Sequence, residues 1–130
     1  MAVKAKEVQQ SDILRIEAEI NNLWGELNTS NVPNRVRTNL EARLSESEDI
    51  FKKVLNGQSP IADLENGLQE IDMELAQSVV QQAENEISKA EHTGSAYLAL
   101  QEISRELKEG RLTPIRARHE VKGIMRPHHS

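Results

Sequence analysis

The sequence predicts an all-α protein: an elongated antiparallel bundle of three or four helices with coiled-coil-like heptad seams and a short basic C-terminal helix. Three observations lead there. Aliphatic residues recur at alternating steps of three and four in segment after segment, the spacing that buries one stripe of a helix against another. Hydrophobic residues make up 37% of the 130-residue chain, enough for a core, but the only aromatics are Trp24, Phe51 and Tyr97. An aliphatic core of that kind suits helix-on-helix packing better than a sheet. No stretch alternates at the period of two that a half-buried strand requires.

Residues 1–10 carry no apolar stripe and predict a frayed start. Ser11 is the candidate N-cap of a first helix, and Asp12 suits its positive end. Ile13, Ile16, Ile20, Leu23 and Leu27 then form a seam, which Trp24 widens; Gly25 weakens the helix unless it serves close packing. Asn28-Thr29-Ser30-Asn31 reads as a loop. A second helix starts at Pro33, shows the stripe Val36, Leu40, Leu44, Phe51 and Leu55 with Ser47 interrupting it, and stops at Asn56-Gly57. Glycine is the expected stop because it tolerates the left-handed conformation.

The longest predicted element runs from Ser59 to His92, with Ser59 as N-cap and Pro60 at the first helical position. It would span roughly 50 Å at the helical rise. It carries two seams. Ile61, Leu64, Leu68, Ile71 and Leu75 are large aliphatics, whereas Met73, Ala76, Val80, Ala83, Ile87 and Ala90 alternate small and medium residues around a different face. The helix is therefore expected to meet different neighbours along its two halves. A fourth helix follows, capped by Ser95, with Ala96, Leu100, Ile103 and Leu107 on one face and Gly110 at its end. Thr113-Pro114 repeats the cap-then-proline start for a fifth segment, Ile115 to about Met125, which Pro127 ends.

Charge divides the chain unevenly. Residues 1–110 hold 11 Lys and Arg against 20 Asp and Glu, a net −9, while residues 111–130 hold five basic residues against one acid, a net +4. The expected organisation is an acidic helical domain over 1–110 and a basic C-terminal segment over 111–130, the candidate mobile unit. The chain has no cysteine, which removes disulfides, thiolate metal sites and a cysteine nucleophile. The N-terminal Met-Ala-Val-Lys-Ala-Lys-Glu lacks the apolar core of a secretory signal, and no apolar run reaches spanning length, so a cytoplasmic location is expected.

No catalytic signature emerges. The carboxylates fall mostly off the apolar seams, on faces expected to be solvated. A bundle di-metal site needs Glu-x-x-His pairs, and there are none. His119-Glu120 opens a zinc-protease pattern that fails at Gly123, where a second histidine belongs. Neither a glycine-rich phosphate loop nor a nucleophile elbow is present. The expectation is a protein without cofactor, metal or catalytic residues. It would be a small adaptor, assembly factor or chaperone-like protein acting by helix-on-helix packing on a helical partner or on itself. Its predicted partner surface is the seam Met73, Ala76, Val80, Ala83, Ile87 and Ala90. The alternative is a nucleic-acid-associated protein contacting phosphates through Arg111, Arg116, Arg118, Lys122 and Arg126, since clustered cations release counterions on binding. Against that alternative stand the acidic body and the lack of an aromatic in the segment.

Overall fold

The computed structural model describes residues 10–90 and 94–125, with side chains described except at 88–90. Helix accounts for 86% of the described residues and no strand occurs among them, so the fold is all-α. Five helices follow one another: α1 (Gln10–Thr29), α2 (Asn34–Leu55), α3 (Ile61–Ala90), α4 (Ser95–Lys108) and α5 (Pro114–Met125). The chain groups into two compact units. The first holds residues 10–29 and 37–71; the second holds residues 30–36 and the described residues from 72 onward.

In the first unit, α1 and α2 run antiparallel. Arg37 near the start of α2 donates to the backbone carbonyl of Leu27 near the end of α1, and residues 17–21 face residues 48–52. That guanidinium satisfies a C-terminal carbonyl lacking an intrahelical partner and places positive charge at the negative helix end. α1 extends to Thr29 where the composition predicts a loop from Asn28, because the Thr29 hydroxyl donates to the Gly25 carbonyl one turn back at 2.9 Å. Ser11 lies inside the first turn of α1, which begins at Gln10, and is not its cap. The core is Ile16, Ile20, Leu23 and Leu27 from α1, Leu40, Leu44 and Val54 from α2, and Leu64, Leu68 and Ile71 from α3. At the end of α2, Val54 is buried and Leu55 is not, because the steps from Leu40 through Leu44, Ser47 and Phe51 arrive at 54.

Ser47, the apparent interruption of the α2 stripe, is itself buried and lies opposite Gly67 of α3, where an added Cβ would sit 3.8 Å from the serine oxygen. A small residue on each helix keeps the contact free of bulk. Arg15 of α1 meets Glu65 of α3 at 2.6 Å, with Asp12 3.5 Å and Glu19 3.9 Å away. The bond to Glu65 is the main cause raising the Arg15 pKa. All these groups are substantially exposed, so the cluster contributes little to stability. At Gly25 an added Cβ would meet nothing within 4 Å, so this glycine plays no close-packing role.

α3 serves both units. Of its large-aliphatic seam, Leu64, Leu68 and Ile71 are buried in the first unit and Ile61 is half-buried there, while Leu75 is buried in the second. Its second seam falls in the second unit, with Ala76, Val80 and Ala83 buried and Met73 and Ile87 half-buried. Around them lie Leu100, Ile103 and Leu107 of α4, Ala117 and Val121 of α5, and Val32 of the loop before α2, all buried. α4 packs on α5.

The helix ends divide into those set by the predicted residues and those that are not. Gly57 (φ 75°) and Gly110 (φ 77°) both end helices in the left-handed region. Each carries the paired bonds of a Schellman motif: Gln58 N–H to the Lys53 carbonyl and Gly57 N–H to that of Val54, and Arg111 N–H to Glu106 with Gly110 N–H to Leu107. Thr113 caps α5, its hydroxyl accepting the Arg116 N–H at 3.2 Å, with Pro114 at the first helical position. The similar Ser59-Pro60 start differs: α3 begins at Ile61, one residue later, so Pro60 precedes the helix. The α4 N-cap is Gly94 and not Ser95, which is the first helical residue.

Candidate partner-docking groove

The residues singled out from the sequence do not assemble into one open surface. In the α3 seam, Ala76, Val80 and Ala83 are 0–3% exposed, covered within the chain itself, and Met73 and Ile87 are half-buried. Ala90 lies in α3, but its side chain is outside the described residues. Of the five basic residues, Arg111, Arg116 and Lys122 are exposed, Arg118 is internal, and Arg126 lies outside the described residues. Arg111 pairs with Glu109 at 3.5 Å and Arg116 with Glu120 at 3.2 Å.

Arg118 forms an ion pair with Asp72 of α3, its side chain 4% exposed against 16% for the aspartate. Its Nη1 also lies 3.4 Å from the Asp72 carbonyl oxygen. Burial of a cation on this scale is tolerated only with a partner. The pair follows from the fold: α5 turns Ala117, Arg118 and Val121 inward, so its exposed face carries Ile115, Arg116, His119 and Lys122. The loop over residues 30–33 adds a polar contact in the same unit, Asn31 donating to Glu86 at 2.8 Å.

With the seams consumed inside, the open apolar surface is elsewhere. The exposed large hydrophobic residues are Leu14 (57%) and Leu55 (48%) in the first unit, and Leu98 (60%) and Ile115 (60%) in the second. A shallow groove of about 170 Å³ runs between α1 and α2, lined by Glu17, Ile20, Asn21, Glu48, Phe51 and Lys52. Ile20 is buried and forms its floor; the half-buried Phe51 ring forms one wall. Leu14 lies three residues before Glu17, and Leu55 lies three after Lys52 and four after Phe51. Residues at these spacings share a helix face. Because α1 and α2 run antiparallel, the two leucines flank the same end of the groove. The volume falls below the roughly 300–1,000 Å³ of small-molecule sites. It is on the scale of a single large side chain, which is what an anchor from another helix inserts.

Among the described residues, no group of three or more His, Cys, Asp or Glu is placed to hold a metal ion, and no helix is long and apolar enough to cross a membrane. Burial raises the Glu84 pKa, with the Lys108 charge opposing it. Comparison with protein families, known proteins and solved structures finds no match for this chain.

Proposed function

We propose that the protein is a non-enzymatic helical interaction module, an adaptor, assembly factor or chaperone-like protein of the cytoplasm. Its docking site is the groove between α1 and α2. Antiparallel, coiled-coil-like seam packing is part of the same reading. The observation that carries it is the placement of Leu14 and Leu55, two large aliphatic side chains about half exposed, at one end of a groove with an apolar floor. Residues beyond what the core uses, grouped on one edge, mark an interaction surface more often than a scatter does. A partner helix would lay an anchor between the two leucines and over Phe51, in the helix-in-groove mode. Full burial of a leucine contributes roughly 1.5–3 kcal/mol, so completing the burial of two half-exposed ones contributes about 2 kcal/mol in total.

A photo-reactive amino acid placed at position 14 or 55 tests this in lysate of the source cells. The expected result is a nuclease-resistant protein adduct at both positions that is absent when the probe stands at position 98. Adducts to nucleic acid alone, or none, would sink the reading.

The second reading, phosphate contact through the basic C-terminal segment, is supported by the exposure of Arg111, Arg116 and Lys122. With Arg118 internal, the described residues supply about three contacts, so log K should fall with log salt at a slope of about −3 on duplex DNA. A slope near zero removes this reading.

A further inference from the structure

The outward face of α5 offers the α1/α2 groove an apolar anchor and opposite charge, and we infer that the groove's occupant is α5 of a second copy of this chain. This rests on the groove being the docking site. Three observations support the match. The groove accommodates one anchor, and α5 offers one, Ile115, 60% exposed in the first turn. Beyond Ile115, the same face presents Arg116, His119 and Lys122, while the groove presents Glu17 and Glu48 on opposite walls and Lys52 near Glu48, a net −1. The wider fields agree: residues 10–29 and 37–71 hold 11 acidic against five basic residues, a net −6, and α5 holds three basic against one acidic, a net +2. Arg116 is already bonded to Glu120, but an exposed pair of this kind is weak and exchanges partners readily.

The two surfaces are different patches of one chain, so the contact is heterologous. Copies add head to tail, and a partner with a free groove and one with a free α5 remain at the ends unless the series closes. One anchor and a few charges make a weak contact, populated at high protein concentration and weakened by salt.

Sedimentation equilibrium of the full chain over a wide concentration range, at low and high salt, tests this with two variants. Ile115→Asp removes the anchor; an acid in the first turn of a helix suits its dipole, so folding is retained. Leu14→Asp with Leu55→Gln removes the groove rim. Circular dichroism confirms that both stay helical. The expected result is a mass that rises with concentration for the native chain and less so in salt, association weakened at least roughly tenfold in each variant alone, and a one-to-one dimer restored when the two variants are mixed. That restoration requires one intact groove and one intact α5 on different molecules. Leu98→Asp, equally exposed on α4, should change nothing. A chain that stays monomeric throughout overturns the inference, as does association lost with the groove variant but kept with Ile115→Asp, which means groove meets groove. If the chain is monomeric yet cross-links a foreign protein from positions 14 and 55, the groove reading stands and only this occupant is wrong. If neither occurs, both fall.

Discussion

Both units are built from helices with the same aliphatic vocabulary, yet they close their cores differently. The first buries branched aliphatics with Ser47 set against Gly67, so that two small residues meet between the helices. The second buries an ion pair, Arg118 with Asp72, among leucines, valines and alanines. An aliphatic core tolerates exchange among residues of similar volume. A buried ion pair does not tolerate the loss of one member, since the other is left charged without compensation. α5 therefore meets α3 through a buried ion pair as well as through apolar area.

Breaking the comparison at its strongest point should show the largest effect. Asp72→Ala is expected to destabilise the protein by about 3–5 kcal/mol in chemical denaturation, and the paired change Asp72→Leu with Arg118→Met to recover most of that. If the single and double changes cost the same, the pair has no special role. Next comes the start of α5. Thr113→Ala removes the cap on the Arg116 N–H and should cost about 1 kcal/mol, read as a shift in the denaturation midpoint. The first unit should respond in the opposite sense at its small-residue contact. A Cβ at Gly67 would meet Ser47 at an ordinary contact distance, so Gly67→Ala should stabilise by about 0.5–1 kcal/mol, mainly by restricting the unfolded chain. A loss there would mean the helices need the closer approach.

The smallest effect is pH-dependent and belongs to the second unit. Burial raises the Glu84 pKa in the folded state, with Lys108 acting against it. A carboxyl whose folded pKa exceeds its unfolded value favours the fold at low pH, and that contribution is lost as pH rises through the folded pKa. Glu84→Gln cannot ionise, so it should raise the melting temperature slightly near about pH 7 and have no such benefit at about pH 3, below the usual carboxylate range. Equal shifts at both pH values would assign the effect to packing.

Several features of the fold were legible in the residues. Gly57 and Gly110 end α2 and α4 through left-handed geometry, and Thr113-Pro114 starts α5, because each depends on backbone conformation and neighbours within one turn. The change of seam within α3 also anticipated that its two halves belong to different units, since periodicity records which face is buried. Other local readings shifted by a residue: Leu55 gave way to Val54, and Ser95 to Gly94. The groove was less visible. Leu55 read as core, and Leu14 fell outside every stripe, so neither pointed to a surface.

What the sequence determined by itself was the all-α class, the helix stops and the faces that leave water, all consequences of spacing and of bonds closed within a few residues. Only the tertiary structure decided who covers each face. The same spacing serves Ala76, Val80 and Ala83 whether a neighbour comes from this chain or another, and Arg118 reads like any basic surface residue until Asp72, 46 positions away, is brought beside it. Periodicity specifies that a stripe must be buried; the contact that buries it is set by distance in space, which spacing along the chain does not encode.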